Sequence, residues 1–537
     1  MRSLLPRIAV LIGLLVLLPG IGGLSAQEEE DEEGRGPEEF VVSFLEGDLE
    51  LNPMVTYTST EAQIYTALYE GLVSYNPRTL DPMPAVARNW DVSPDGLTYQ
   101  FYLREDARYW NGDRVTADHF RDTWLAILDP NSGSAYSFLF DVIEGAQAYR
   151  TGETADPADV GIRAINAGVL EVTLGQPAAH FLDVLCHHSF VPVHPEMRRQ
   201  ADWSDLDTIL SNGPYYILER SESELQLVRN ELYWDRREVE IPRLRVEFEN
   251  DTVATTSRFN RGDIHWLAGG IAFDQILYPE DIVINPMFAT SYFFFRSDEE
   301  PYNDPRVRRA LVLLLPWDEI RDPEIYFTPA QTLVPPIPRY PEADGITSSD
   351  EEEALGLLEE AGFPGGTGLR PVTVRIPGGE DNQRIADLME ASWGEYLNLE
   401  VAVEIVEYPQ YFDSLEEDTY ELGSISWIGD FADPLTFLQM WTSGSNLNDA
   451  GFSSTEYDAL IGESMAQAGM ERFETLSEAE RIILETGVVL PISHSPAINL
   501  IDLARIDGWY PNPLDIHPFK HLRFRSRRPV PGVASRP

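Results

Sequence analysis

The tract Ser424 to Leu438, SISWIGDFADPLTFL, sets a single carboxylate among aromatic rings at the end of an apolar run. A strand ends in Trp427-Ile428-Gly429 and delivers Asp430 to a loop with Phe431 beside it. Asp433-Pro434 then opens a helix through Thr436 to Met440, because proline suits the first helical turn. A carboxylate flanked by aromatics at a strand end suits an ammonium group. Its charge makes the hydrogen bond short and strong, and the ring faces add cation–π attraction. The pattern also fits a second reading, in which Asp430 caps the following helix.

The other candidate clusters are weaker. His187, His188 and His194 stand close to Glu196, but their spacing fits no standard ligand set, and Pro192 and Pro195 make the stretch irregular. No metal site is expected there. Cys186, the only cysteine, is expected as a buried apolar residue rather than a nucleophile. Arg261-Gly262-Asp263 reads as a turn entering Ile264-His265-Trp266. No G-x-S-x-G elbow, H-E-x-x-H helix or glycine-rich phosphate loop is present. Carboxylate pairs carry no signal in a chain with 90 acidic residues. No catalytic residue and no cofactor are therefore expected.

The elements that must position Asp430 alternate between strand and helix patterns. Phe40 to Leu45 is a short β run, and Thr60 to Leu72 reads as a helix with Thr60 at its N-cap. Trp90 to Arg104 is a hairpin turned by Pro94-Asp95-Gly96. Thr116 to Leu128 is helical and stops at Asp129-Pro130-Asn131. Val169 to Leu174 and Leu225 to Arg229 read as a strand pair around the Asn212-Gly213-Pro214 turn. Pro305 to Leu315, Ser349 to Ala361 and Asn382 to Leu397 read as helices, with strands at Val372 to Ile376 and Val401 to Val406. This alternation predicts an α/β architecture with sheets covered by helices.

At the amino terminus, Arg2 and Arg7 precede an apolar run from Ile8 to Leu18, and small residues lead to Leu24-Ser25-Ala26. This is the pattern of a cleavable secretory signal over residues 1–26, without a cysteine for lipid attachment. Residues 27–39 read as an acidic disordered tether. A periplasmic or secreted location follows. At 537 residues the chain is too long for one core, and one cysteine allows no internal disulfide. The formal net charge is −51, and Lys520 is the only lysine. Nucleic acid and anionic membranes are poor partners for such a surface. It reads as a solvated acidic shell, and a saline habitat, where salt screens self-repulsion, is one explanation.

Short motifs in a fixed order extend along nearly the whole remaining chain. They run from Leu51-Asn52-Pro53 and Ala67-Leu68-Tyr69-Glu70-Gly71-Leu72 to Ser93-Pro94-Asp95-Gly96-Leu97-Thr98-Tyr99 and Trp110-Asn111-Gly112-Asp113. Asn212-Gly213-Pro214-Tyr215, Tyr233-Trp234-Asp235, Arg261-Gly262-Asp263-Ile264 and Tyr302-Asn303-Asp304-Pro305-Arg306-Val307-Arg308-Arg309-Ala310-Leu311 continue the series, and Tyr457-Asp458 closes it. In these the chain resembles the bacterial extracellular solute-binding proteins of family 5, nearest the oligopeptide-binding type through Leu128-Asp129-Pro130, Ser134-Ala135-Tyr136 and Trp427 to Asp430.

The resemblance implies the two-lobe periplasmic-binding-protein fold (type II, cluster C) with an extra inserted α+β domain. Lobe I would gather residues 40–75, 193–283 and 500–537, the inserted domain residues 76–192, and lobe III residues 284–499. It further implies a monomeric, non-enzymatic binding component of an ABC importer, which closes on short peptides and delivers them to membrane permease subunits. Asp430 would hold the peptide's amino group, Trp427 would line a side-chain pocket, and the main chain of Ser426 and Ile428 would pair with ligand. Tyr136 would reach the peptide from the inserted domain, and Tyr57, Thr58, Ser59 and Thr60 would form the facing strand. The segment Leu315-Pro316-Trp317-Asp318 departs from the family's Asp-Arg signature. Ser424 and Asn382 stand where residues with cationic side chains would meet a peptide carboxylate. The same fold with an oligosaccharide, nickel chelate or opine as ligand is the alternative, and a secreted hydrolase a distant one.

Overall fold

The computed structural model describes residues 39–525 except 48, 56, 57, 179, 201, 202, 204–208, 323–325, 344, 408, 409, 416 and 418. The expected signal segment and the tether up to residue 38 lie outside the described residues. Glu39, expected as the tether's last residue, instead begins a strand and pairs with Arg245. In chain order the strands are β1 (Glu39–Phe44), β2 (Val73–Tyr75), β3 (Pro82–Pro84), β4 (Ala87–Val92), β5 (Thr98–Leu103), β6 (Ile162–Asn166), β7 (Val169–Thr173), β8 (Tyr215–Arg220), β9 (Glu224–Arg229), β10 (Arg243–Phe248), β11 (Trp266–Leu267), β12 (Ile282–Phe295), β13 (Thr328–Pro329), β14 (Val372–Pro377), β15 (Val401–Val406), β16 (Leu422–Ile428) and β17 (Val489–Ile501).

One mixed sheet runs β15-β14-β16-β12-β17-β11-β1-β10-β9-β8, with β13 on β17. Its parallel pairs need crossover connections, and the helices Thr252–Arg261 and Glu380–Leu397 supply two of them. The strands β12 and β17 are 14 and 13 residues long and serve both halves of this sheet. Ile282–Pro286 pair with Pro496–Leu500 beside β11, and Thr290–Phe294 pair with Val489–His494 beside β16. The register breaks between Pro286 and Thr290, between the two stretches. An irregularity there bends and twists the ladder, so the two halves meet at a hinge made of two continuous strands.

A separate antiparallel sheet, β4-β5-β7-β6, occupies the early part of the chain. Tyr99, Phe101 and Leu103 of β5 are buried while the residues between them are half-exposed, as the period of two requires. The turn before β5 places Gly96 at φ +74°, where glycine carries no Cβ penalty.

Two local expectations are corrected. The first helix is Ser59–Leu68 and not Thr60–Leu72, because Thr58 is its N-cap. The Thr58 hydroxyl accepts from the Glu61 N–H at 3.3 Å, and the Glu61 carboxylate accepts from the Thr58 N–H at 3.1 Å, which is a closed capping box. Val169–Leu174 and Leu225–Arg229 do not pair. β7 lies between β5 and β6, whereas β9 pairs with β8 and β10 in the large sheet, because Asn212-Gly213-Pro214 leads into the local β8–β9 hairpin.

Buried apolar residues fall into several clusters. One gathers around Tyr65, Trp203, Trp266 and Phe519, and another surrounds Trp393 and Leu311. The largest runs from Leu72–Phe190 across to Phe288, Tyr292 and Phe431–Ile461 without a break. On the helix Gly469–Glu485, the fully buried Glu480 accepts hydrogen bonds from the Val334 N–H and the Tyr340 hydroxyl, each at 2.9 Å. Burial pushes its carboxyl up to about 7, against its ordinary 4.5. A raised folded-state pKa gives stability that is fully present below the unfolded value and lost as pH rises through the folded one. Glu480→Gln should therefore gain thermal stability relative to the parent as pH rises from 4.5 to about 7, and hold that gain above. A melting-temperature difference that does not change with pH would remove this role.

Candidate functional site

A cavity of about 900 Å3 lies where the two halves of the large sheet and the smaller sheet's segment meet. Its wall combines Val55, Thr58, Ser59, Thr60 and Tyr75 with Gly133–Tyr136 and Cys186–His188, and faces Ile425–Asp430, Met440, Asn446, Leu447 and Asp449 from the other half. Of the residues singled out from sequence, Thr58, Ser59, Thr60, Tyr136, Ser426, Trp427, Ile428 and Asp430 all line it. Tyr57 lies outside the described residues. The expected facing strand is corrected: Thr58 is an extended cap, and Ser59 and Thr60 begin a helix.

β16 presents one edge of its backbone to this space. Its odd residues face β12, as the Gly429 N–H shows by donating to the Phe288 carbonyl at 2.8 Å. The even residues turn the other way, where β14 pairs only at Leu422. The Tyr411 hydroxyl satisfies the first of them, donating to the Ser424 carbonyl at 2.7 Å and accepting its N–H at 3.1 Å. Among the described residues the outward N–H and C=O of Ser426 and Ile428 have no partner. Exposed main-chain groups of this kind accept an added strand.

Asp430 sits just past that edge, with a side chain 5% exposed. The Thr436 hydroxyl accepts the Asp430 N–H at 2.8 Å and lies 3.2 Å from the carboxylate as a donor. Tyr136 donates a second hydroxyl to the same carboxylate, and Tyr75 donates to the Asp430 carbonyl at 2.9 Å. The capping alternative is corrected: among the described residues no helix N–H meets the Asp430 carboxylate, and Asp433 accepts the Leu435 N–H at 3.0 Å in its place. Asp433 is itself held by Arg472 at 2.6 and 2.8 Å.

His187 faces Asp430 from across the cavity, Nε2 to Oδ1 at 3.6 Å. Its Nδ1 accepts the Ser189 N–H, so the neutral ring carries its proton on Nε2. Burial, and then the neighbouring His188, hold its pKa well below the ordinary value, so it brings no positive charge. Burial pushes the Asp430 carboxyl up to about 7, against hydroxyl bonds that pull it down. The carboxylate is thus oriented by neutral donors and has no counter-ion among the described residues, and burial outweighs hydrogen bonding in setting its pKa.

The sequence reading missed several wall residues. Tyr75 and Asn446 carried no signal, nor did the buried Thr436 behind Asp430, and the His187-His188 pair was weighed only as a metal site. His194 turns away to Asp113 at 3.1 Å, and no three ligand-type side chains converge among the described residues. Lys520 is the one Lys or Arg among the described wall residues. Its ammonium lies 3.0 Å from Glu70, whose carboxylate also takes the Tyr233 hydroxyl and the Trp234 indole N–H. It is therefore committed within the wall.

A cleft between two α/β lobes that share a pair of crossing strands, closed over a ligand-sized cavity, is the architecture of a solute-binding protein. The chain belongs to the bacterial extracellular solute-binding proteins, family 5, whose middle-region model matches residues 81–449. It is 26% identical to the oligopeptide-binding protein OppA of Bacillus subtilis over 90% of this chain and 92% of that one. It superposes on the Escherichia coli murein tripeptide-binding protein MppA with a TM-score of 0.81 at 26% identity, covering 90% of this chain and 98% of that one. On the unliganded open form of MppA the score is 0.64 at 25% identity, with 91% and 98% covered. The chain therefore resembles that open form less than it resembles the other MppA structure.

Proposed function

We propose that this protein is the ligand-capturing, non-enzymatic component of an ABC importer, and that it takes short peptides by their free amino terminus. The observation that carries the reading is the buried Asp430, which among the described residues lacks a counter-ion at the end of a strand edge whose outward main chain lacks partners. A peptide laid along β16 would pair its backbone with Ser426 and Ile428 and bring its ammonium to Asp430. Trp427 would line one side-chain pocket, and Thr58, Ser59, Thr60 and Tyr136 would close on the ligand from the opposite wall. Backbone pairing does not depend on ligand sequence, so a range of side chains would be accommodated.

In this reading the chain divides into lobe I (40–75, 193–283 and 500–537), the inserted domain (76–192) and lobe III (284–499), with the borders between lobes I and III in β12 and β17. It acts as a monomer, exported by its amino-terminal segment, and hands the closed complex to permease subunits. No helix among the described residues is long and apolar enough to cross a membrane. Native mass spectrometry of gently purified protein tests the ligand class. Mixed peptides of a few residues are expected. One defined mass of a sugar, chelate or opine would move the ligand to another class on the same fold.

A further inference from the structure

The two walls of the cavity are joined beyond the ligand space by a chain of hydrogen bonds that begins at Arg150. This residue ends the helix Ala146–Arg150, and its side chain is 5% exposed. Within its own domain it is fixed by Asp141, Nε to Oδ1 at 2.7 Å and Nη2 to Oδ2 at 2.5 Å. Its remaining donors cross to the opposite half. Nη1 donates to the Asn446 side-chain carbonyl at 3.0 Å, and Nη2 to the Gly444 carbonyl at 2.8 Å.

The acceptor role of the Asn446 oxygen settles which way its amide points. Its Nδ2 group then faces back across the cleft and donates to the Ser134 carbonyl at 3.2 Å and the Ser137 hydroxyl at 2.6 Å. Asn446, Ser134 and Tyr136 all line the cavity. Tyr136 lies between the two serines in sequence, and its hydroxyl bonds Asp430. A planar guanidinium held by one carboxylate keeps its outer donors at fixed angles, which suits it to aim a second group.

We infer that Arg150 is a positioning residue for ligand capture. Through Asn446 it clasps residues 134–137 to the opposite lobe, which holds the cleft shut and keeps Tyr136 against Asp430. The contacts exist only while the two halves are apposed, so the clasp resists opening and does not affect entry into an open cleft. The inference rests on capture between the lobes as proposed above, but on no particular ligand.

The test compares Arg150→Met and Asn446→Ala with the parent, using Ala-Ala-Ala as the probe. Dissociation should accelerate about tenfold or more while association stays within about twofold, since charge-assisted hydrogen bonds of this kind are lost only from the closed state. Arg150→Lys, which keeps the charge but not the fork, should recover little of the loss. A merely structural role would lower the melting temperature without this split between the two rates. Asn446→Ala removes the cross-cleft bonds while leaving the Arg150–Asp141 pair, so it keeps the test open if Arg150→Met fails to fold. Small-angle scattering of the unliganded proteins supplies a readout without ligand, and both variants should be more extended than the parent. If Ala-Ala-Ala does not bind the parent, the peptide reading fails and scattering still decides the clasp. Unchanged scattering, or unchanged dissociation of bound probe, would overturn it.

Discussion

Asp430→Asn is expected to cost about 1.5–3 kcal/mol of affinity for a tripeptide with a free amino terminus, roughly a 10- to 150-fold rise in Kd. The substitution keeps the shape of the side chain and its bonds to Thr436 and Tyr136 within reach, but removes the charge that would meet an ammonium. The cost is large because the group is buried, and a charge-assisted bond gains strength where water cannot compete. Amino-terminal acetylation of the same peptide should weaken binding to the parent by a similar factor. The two changes should not add, since both remove one interaction. Calorimetric titration of the four combinations closes the cycle. Additive losses would mean that the ligand's amino group is held elsewhere.

The second large effect is on pH. Burial disfavours the charged form of Asp430 and pushes its carboxyl up to about 7. A bound ammonium restores the charge's partner and draws that pKa down, so proton and ligand compete for the same carboxylate. Affinity should therefore rise about tenfold per pH unit up to about 7, so that at pH 5 it is about a hundredfold below its plateau. Above about pH 8 it should fall again as the peptide's α-amino group loses its proton. Burial, and then the neighbouring His188, hold the His187 pKa well below its ordinary value, so the rise is assigned to Asp430. The profile of Asp430→Asn should be flat below pH 7. A parent whose affinity falls only near the ordinary carboxylate range would show that the free cleft rests open, with Asp430 in water.

The local pieces of this site were legible because their causes are local. The run ending at Ile428 has the composition of a strand, and Asp430 follows it at a loop with aromatic neighbours. The order of motifs then pointed to the two-lobe fold, which no periodicity could have supplied. What escaped was set by distant apposition. Tyr75 meets Asp430 across 355 positions, and Arg150 meets Asn446 across 296, so no window of sequence contains either pair. The expected facing strand failed for a local reason that was open to inspection. Thr58 and Glu61 stand in capping-box spacing, and the box starts the helix two residues earlier than a cap at Thr60 would. The pairing of β7 with β9 failed because both runs have the same alternation, and only the β8–β9 turn decides which sheet takes β9.

The position of Cys186 has a practical consequence. The chain's single thiol lines the cavity and is half-buried, its Sγ 3.6 Å from the Leu182 carbonyl. Burial raises its pKa well above the ordinary value, which makes it slow to react while the lobes are shut. The chain's single lysine is likewise buried in its pair with Glu70, so amine reagents leave this wall unmarked. An environment-sensitive dye attached at Cys186 would occupy one defined place, without any cysteine having to be added or removed. Its emission would report occupancy in real time, making the unaltered chain a scaffold for an optical sensor.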